Sequence, residues 1–223
     1  MSRIVPLKLK TVKSFLLVGE KGGLVLVDAG NPGDGGKILR GVEKAGYRTQ
    51  DISLIVLTHG HRDHVGGIAE LNECLSARII IHEKDAAAIT RGKEAPITPL
   101  GLKGKLLGPF TSNEKLNTRG VRPDKIIEES INLHGFGVAG KVIHTPGHTD
   151  GSLSIILKDG KAVVGDLIMG RFLLFGGAGL PFFATDPASL QESISRILSL
   201  GVEEIYTSHS GPYRRKDLER LIT

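Results

Sequence analysis

The run Thr58-His59-Gly60-His61-Arg62-Asp63-His64 constrains this chain more than any other feature, because it follows directly on the aliphatic segment 52–57. A short run of Ile, Leu and Val bounded by polar residues reads as a buried strand. Candidate metal donors therefore leave one strand end together. His59 and His61 lie two apart, and an extended backbone points such side chains to the same side. Asp63 and His64 follow as the chain turns into the next helix. Neutral imidazole and carboxylate are donors that zinc takes in catalytic sites. Four of them on six residues exceed what one closed structural site uses without help from elsewhere.

That help is present at three further strand ends. His148 sits in Thr145-Pro146-Gly147-His148-Thr149 after the strand expected at 141–143, Asp166 follows Ala162-Val163-Val164-Gly165, and His209 follows the strand expected at 204–208. Each occupies the loop at the carboxyl end of a short aliphatic strand, where a rigid scaffold presents reactive groups. Seven donors suit two cations: three imidazoles for one, an imidazole pair with Asp63 for the other, and Asp166 between them. A single histidine at a strand end is ordinarily a hydrogen-bonding residue, and His82, His134 and His144 take that reading. Cys74, on a helix face, reads as small core filler.

The rest of the chain alternates strand-like and helix-like segments. Aliphatic runs at 14–18 and 24–27 flank a Gly-bounded turn and predict a hairpin. Ile38, Leu39, Val42 and Ala45 form one helix face stopped by Gly46, and Val65, Ile68, Leu71 and Leu75 form another. A strand at 78–81 and a short helix at 83–89 follow, then strands from 125 to 164. The last long helix is capped by Asp186, carries Pro187 in its first turn, buries Leu190, Ile194, Ile197 and Leu198, and closes at Gly201. No internal repeat or composition break divides residues 1–223, so a single α/β domain of sheets covered by helices is expected.

Composition narrows the functional classes. With 40% apolar and 24% charged residues the chain is neither disordered nor fibrous. Its longest aliphatic runs are four residues, such as 54–57, whereas a membrane span needs about 20. Residues 1–10 lack the apolar stretch of an export signal, and a lone cysteine suits a reducing compartment, so a cytoplasmic enzyme is expected. The +5 net charge is concentrated at 91–125, with eight Lys/Arg against three Asp/Glu and four of the ten prolines. This is the pattern of a basic surface insertion or lid, read either as a solvated loop or as one that attracts an anionic small-molecule substrate, and not of a nucleic-acid binder. Glycines at 101, 104 and 108 argue against a membrane-lying helix there. Gly135 to Val142 misses the phosphate-binding loop, since Val142 stands where the hydroxyl belongs and a strand follows instead of a helix.

The order of H-x-H-x-D-H, the T-P-G-H-T turn, Asp after a small-residue strand and a late His resembles the metallo-β-lactamase superfamily, from Val27-Asp28-Ala29-Gly30 to His209. The resemblance implies an αββα four-layer sandwich with a dinuclear site at one edge. It implies that His59, His61 and His148 bind one metal, that Asp63, His64 and His209 bind the other, and that Asp166 bridges. Asp28 and Thr58 resemble residues that orient ligands. The metals expected are two zinc ions, with iron or manganese as substitutes.

The activity this implies is hydrolysis of a carbonyl ester or thioester by a metal-bound hydroxide, with Asp63 and Asp166 as catalytic carboxylates. The branch most similar is the glyoxalase II-like thioesterases in a short form, since fourteen residues follow His209 where larger members carry a glutathione-binding helical region. Met169 stands where lactonases of the superfamily place a Tyr, three residues after the bridging Asp. Lactonase or phosphodiesterase activity and a mononuclear iron persulfide dioxygenase are the alternatives. Four of the seven phenylalanines lie within 172–183, and Phe172 and Phe183 are candidates for an apolar pocket wall. A homodimer is compatible with this reading.

Overall fold

The computed structural model describes residues 2–107, 120–172 and 175–222. Two six-stranded sheets carry the architecture. The first runs β1 (Arg3–Lys8), β2 (Lys13–Val18), β3 (Leu24–Val27), β4 (Ile52–Val56), β5 (Arg78–His82), β6 (Lys125–Ile127) in spatial as in chain order. Its first three strands are antiparallel and β3 to β6 are parallel. The second sheet is built from β7 (Ser130–Asn132), β8 (Gly140–His144), β9 (Leu153–Leu157), β10 (Lys161–Val163), β13 (Glu204–Tyr206) and β14 (Tyr213–Arg214). β10 and β13 are parallel neighbours, and β9 is antiparallel to both β8 and β10. A separate hairpin pairs β11 (Met169–Phe172) with β12 (Phe175–Gly179).

Strand side chains alternate between faces, and that alternation divides the apolar residues into three layers. Phe15, Leu17, Val25, Val27, Leu54, Val56 and Ile80 point inward to meet Val142, Leu153, Ile155, Leu157 and Val163 of the second sheet. Their neighbours Leu16, Leu26, Ile55, Ile79 and Ile81 point the other way, onto α1 (Gly35–Lys44) and α3 (Ile68–Cys74). On the far side Ile143, Ile156, Ala162 and Ile205 pack on Leu190, Ile194, Ile197 and Leu198 of α6 (Pro187–Ser199) and on Leu218 of α7 (Arg215–Glu219). Each fully buried aliphatic side chain contributes about 1.5–3 kcal/mol by leaving water. Helix, sheet, sheet and helix thus form the four layers the sequence predicts. α6 begins as expected, with the Asp186 carboxylate accepting from the N–H groups of Ala188 and Ser189 at 2.9 and 3.2 Å.

The structure corrects several readings. The helix expected through Val65 and Leu75 is broken into α2 (Arg62–Val65) and α3 by Gly66 and Gly67. The turn at Ala29 to Pro32 lies against them so closely that a Cβ would come within 2.3 Å of Pro32 Cδ at the first and of the Ala29 carbonyl at the second. Cys74 is exposed at the end of α3, not core filler. The expected helix at 83–89 is a short 3₁₀ turn followed by α4 (Ala87–Arg91). In the basic segment a helix, α5 (Gly101–Leu107), forms despite its glycines, with Leu102 and Leu106 exposed; the part of that segment from 108 to 119 lies outside the described residues. No described helix is long and apolar enough to cross a membrane.

The parallel relationships matter most for the site. β3, β4 and β5 run the same way, so the loops that follow them share one edge. β8, β10 and β13 are mutually parallel through β9, so their following loops share an edge as well. The loop after β4 also touches the second sheet directly, because Leu153 N–H donates to the Thr58 carbonyl at 2.7 Å.

Candidate metal centre

Residues from four strand ends meet at this edge. His59, His61, Asp63 and His64 follow β4, His148 follows β8, Asp166 follows β10, and His209 follows β13. The structure brings all seven side chains together. The rings of His59, His61 and His148 form a near-equilateral triangle, with centroids 4.8, 4.6 and 4.7 Å apart. Their donor nitrogens lie within 4.8 Å of one another, as do the donor atoms of the trio Asp63, His64 and His209. Asp166 stands between the two trios. Its Oδ2 is 3.6 Å from His64 Nε2, 3.1 Å from His209 Nε2 and 3.9 Å from His148 Nε2.

The outer nitrogen of each ring is engaged, which fixes where the inner lone pair points. His148 Nδ1 donates to the Phe183 carbonyl at 2.8 Å and His209 Nδ1 to the Thr11 carbonyl at 3.0 Å. His61 uses Nε2 on the Pro96 carbonyl at 3.4 Å. His64 Nδ1 donates to Asp28 Oδ2 at 2.8 Å, and the same carboxylate accepts from Thr58 N–H at 2.7 Å and from the Thr58 hydroxyl. Asp28 holds this position at φ +64°, a left-handed conformation that Asp tolerates better than most residues. The His148 loop rests on α6 through Ser193 Oγ, which donates to the Pro146 carbonyl at 2.8 Å.

The outcome is a cluster of unmet lone pairs. His148 Nε2 and His61 Nδ1 face each other at 3.0 Å although each ring already donates through its other nitrogen. His59 Nε2, His64 Nε2 and Asp166 Oδ1 are buried without any hydrogen-bond partner. Buried polar atoms are left this way at a cost of about 1–3 kcal/mol each unless something meets them. Divalent cations fit this donor set.

Charge is divided unequally across the cluster. Burial, reinforced by the neighbouring imidazoles, holds His59 well below its ordinary pKa, and burial first lowers His61 and then takes His148 to about 4. Burial opposes charge on His64 too, but Asp63, Asp166 and Asp28 outweigh it and raise it well above the usual range. In the same way Asp166 and Asp63 bring His209 to about 10 against burial. Burial works against ionising the two aspartates, yet His64 and His209 keep both well below the usual carboxylate range. The first trio is neutral and enclosed, and the second is ionic. Asp63 and His209 are also the more exposed members, at 29% and 14%, so the cluster meets solvent on their side.

Several contributors carry no motif. The carbonyls of Thr11, Pro96 and Phe183 act through main-chain geometry, which residue identity does not encode. Glu94 accepts from Arg62 N–H at 2.8 Å at the start of α2. Asp85 accepts from Gly60 N–H and from the Thr149 hydroxyl, both at 2.7 Å; its place just past the end of β5, beside β4, was the one available signal. Phe183 is half-buried, whereas Phe182 lines a cavity of 590 Å³ with Leu100, Leu102, Leu180 and Arg171. The Phe172 side chain lies outside the described residues.

Comparison with known proteins gives a consistent result. Residues 9–209 match the family model for the metallo-beta-lactamase superfamily. A probable metallo-hydrolase of Bacillus subtilis is 28% identical over 93% of this chain and 83% of its own length. A second, from Methanocaldococcus jannaschii, is 29% identical over 88% and 86%. A hydroxyacylglutathione hydrolase of Pseudomonas aeruginosa is 29% identical over 71% of this chain, and the match spans 47% of that longer enzyme. Among solved structures, TTHA1623 in a di-iron-bound form superposes with a TM-score of 0.68 at 26% identity, covering 99% of this chain and 98% of that one. A Cronobacter sakazakii metallo-β-lactamase reaches 0.68 at 25% identity, over 92% and 70%.

Proposed function

This chain belongs to the metallo-β-lactamase superfamily as a metallo-hydrolase, and from that premise we propose that it cleaves a carbonyl ester or thioester using two zinc ions. The observation that carries the reading is the convergence of unmet lone pairs, above all the His61–His148 pair at 3.0 Å. His59, His61 and His148 would hold one cation, Asp63, His64 and His209 the other, and Asp166 would touch both. Bound there, such cations lower the pKa of water and polarise a carbonyl oxygen.

The chain's own groups do the rest. The neutral first trio keeps its inner lone pairs free for a cation. Asp63 Oδ2, at the exposed side of the cluster and 3.1 Å from His209 Nε2, is placed to take a proton from attacking water and return it to the leaving group. The Phe183 ring is the candidate wall for the apolar part of the substrate. The basic residues of the 91–125 segment favour an anionic one. The hydroxyacylglutathione hydrolase relatives support the thioester class. We place the enzyme in the cytoplasm, since a lone cysteine cannot form an internal disulfide.

The test is a panel of esters, acyl thioesters, lactones and phosphodiesters, assayed before chelation, after it and after zinc is restored. Thioester or ester turnover that disappears and returns with zinc is expected. Turnover unaffected by thorough metal removal would refute the proposal. Iron in the same donors is the second reading, favoured by the di-iron-bound neighbour and by the equal suitability of imidazole and carboxylate for both metals. Elemental analysis with an oxygen-uptake assay separates them.

A further inference from the structure

We infer that Asp85 is a positioning residue that fixes the His59–His61 loop against the His148 loop, and so sets the affinity of the first cation site alone. The inference rests on the metal-centre reading above.

Asp85 lies in the turn after β5 and is 3% exposed. One of its oxygens, Oδ2, accepts two hydrogen bonds from different halves of the molecule. The Gly60 N–H, between His59 and His61, reaches it at 2.7 Å, and the Thr149 hydroxyl, next to His148, reaches it at 2.7 Å. The Thr149 hydroxyl is itself oriented, because Ser152 Oγ lies 2.8 Å away and accepts from Thr149 N–H at 3.0 Å. In the following peptide the Gly60 carbonyl accepts from Ala95 N–H at 3.0 Å. The loop between the two histidines is thereby pinned on both faces.

Steric fit points the same way. A Cβ at Gly151 would lie 2.6 Å from Asp85 Cγ, and one at Gly60 would lie 3.2 Å from Asp85 Cβ. Both loops therefore close directly onto this side chain. The three imidazoles of the first trio come from two sheets, and Asp85 Oδ2 is the atom to which both of their loops bond. Among the described residues Asp85 makes no hydrogen bond to Asp63, His64 or His209; His64 and His209 are held instead through Asp28 and Thr11. A group that orients ligands in this way typically changes metal affinity by about 10–100-fold when removed.

The experiment titrates zinc into the metal-free full chain against a competing chelator, resolving the two affinities, for wild type, Asp85→Ala, Asp85→Asn and Thr149→Val. Asp85→Ala should weaken one site by about 10–100-fold and leave the other within about threefold. Asp85→Asn should restore the weakened site, because its amide oxygen can accept both hydrogen bonds. Thr149→Val should reproduce the loss, and it decides the matter if Asp85→Ala does not fold. Wild-type affinity at both sites in the folded variants overturns the inference. So does an equal loss at both sites, or an Asp85→Asn protein as weak as Asp85→Ala. A wild-type chain that takes up no zinc refutes the proposed function itself and the inference with it.

Discussion

Asp28 Oδ2 stands 2.8 Å from His64 Nδ1, with both side chains completely buried, and this one contact decides which nitrogen of His64 is free. The carboxylate can only accept, so Nδ1 keeps its proton, and when the ring gives up its second proton it is Nε2, facing Asp63 and Asp166, that offers the lone pair. In Asp28→Asn the amide can keep its oxygen on Thr58 N–H and turn its NH₂ toward Nδ1, which moves the ring proton to Nε2. Asn tolerates the left-handed backbone at this position as well as Asp does, so folding should be little affected. We predict a loss of about 10–100-fold in affinity at the Asp63–His64–His209 site with an essentially unchanged melting curve. Unaltered affinity would show that tautomer control is not what Asp28 does.

Stability of the metal-free protein should vary with pH in both directions. His59, His61 and His148 have depressed values, with His148 at about 4. Between that pH and the ordinary 6.5 the unfolded chain binds more protons than the folded one, so stability falls as pH falls. His64 and His209 are raised, with His209 at about 10. Their contribution is complete below 6.5 and is lost as pH rises through the folded value. Denaturant titrations of chelated protein should therefore show a maximum near neutrality, and saturating zinc should abolish the alkaline decline by taking the place of those protons. A monotonic rise across the whole range would contradict the assignment.

Much of this was legible in the sequence, for identifiable reasons. Buried strands such as β3 and β4 announce themselves because no face of them meets water, and the loop after β4 carried four of the seven candidate donors. The helix caps at Asp186 and Pro187 are local chemistry and were readable for that reason. What was hidden depends on contacts distant in sequence. Gly66 and Gly67 break a helix because a turn thirty-odd residues earlier lies on them, and α5 forms against its own glycines in a tertiary setting. The Thr11, Pro96 and Phe183 carbonyls could not be read at all, since any residue offers one. The β11–β12 hairpin, rich in glycine, gave no strand pattern.

The interface between the sheets should dominate stability. Phe15 is fully buried there and meets the Tyr206 ring edge-on, with centroids 6.0 Å apart, joining the first sheet to the second. Phe15→Ala should cost about 3–5 kcal/mol, read as a lowered denaturation midpoint with an unchanged slope. A loss of less than about 1 kcal/mol would mean that the layers are not held together at this point.

Phe183 offers a separation of roles. Its main-chain carbonyl holds His148, and its ring is the candidate pocket wall. Phe183→Ala keeps the carbonyl, so metal content should stay at the wild-type level while KM for an apolar ester or thioester rises several-fold. Unchanged kinetics would remove the ring from the pocket.

The most direct measurement is an anomalous-scattering map from crystals of the zinc-loaded protein, collected on both sides of the zinc edge. The account predicts two peaks per chain, each about 2 Å from its donors: one among His59, His61 and His148, the other among Asp63, His64 and His209, with Asp166 adjoining both. No peak within coordination distance of these seven side chains, from crystals grown in excess zinc, would contradict it.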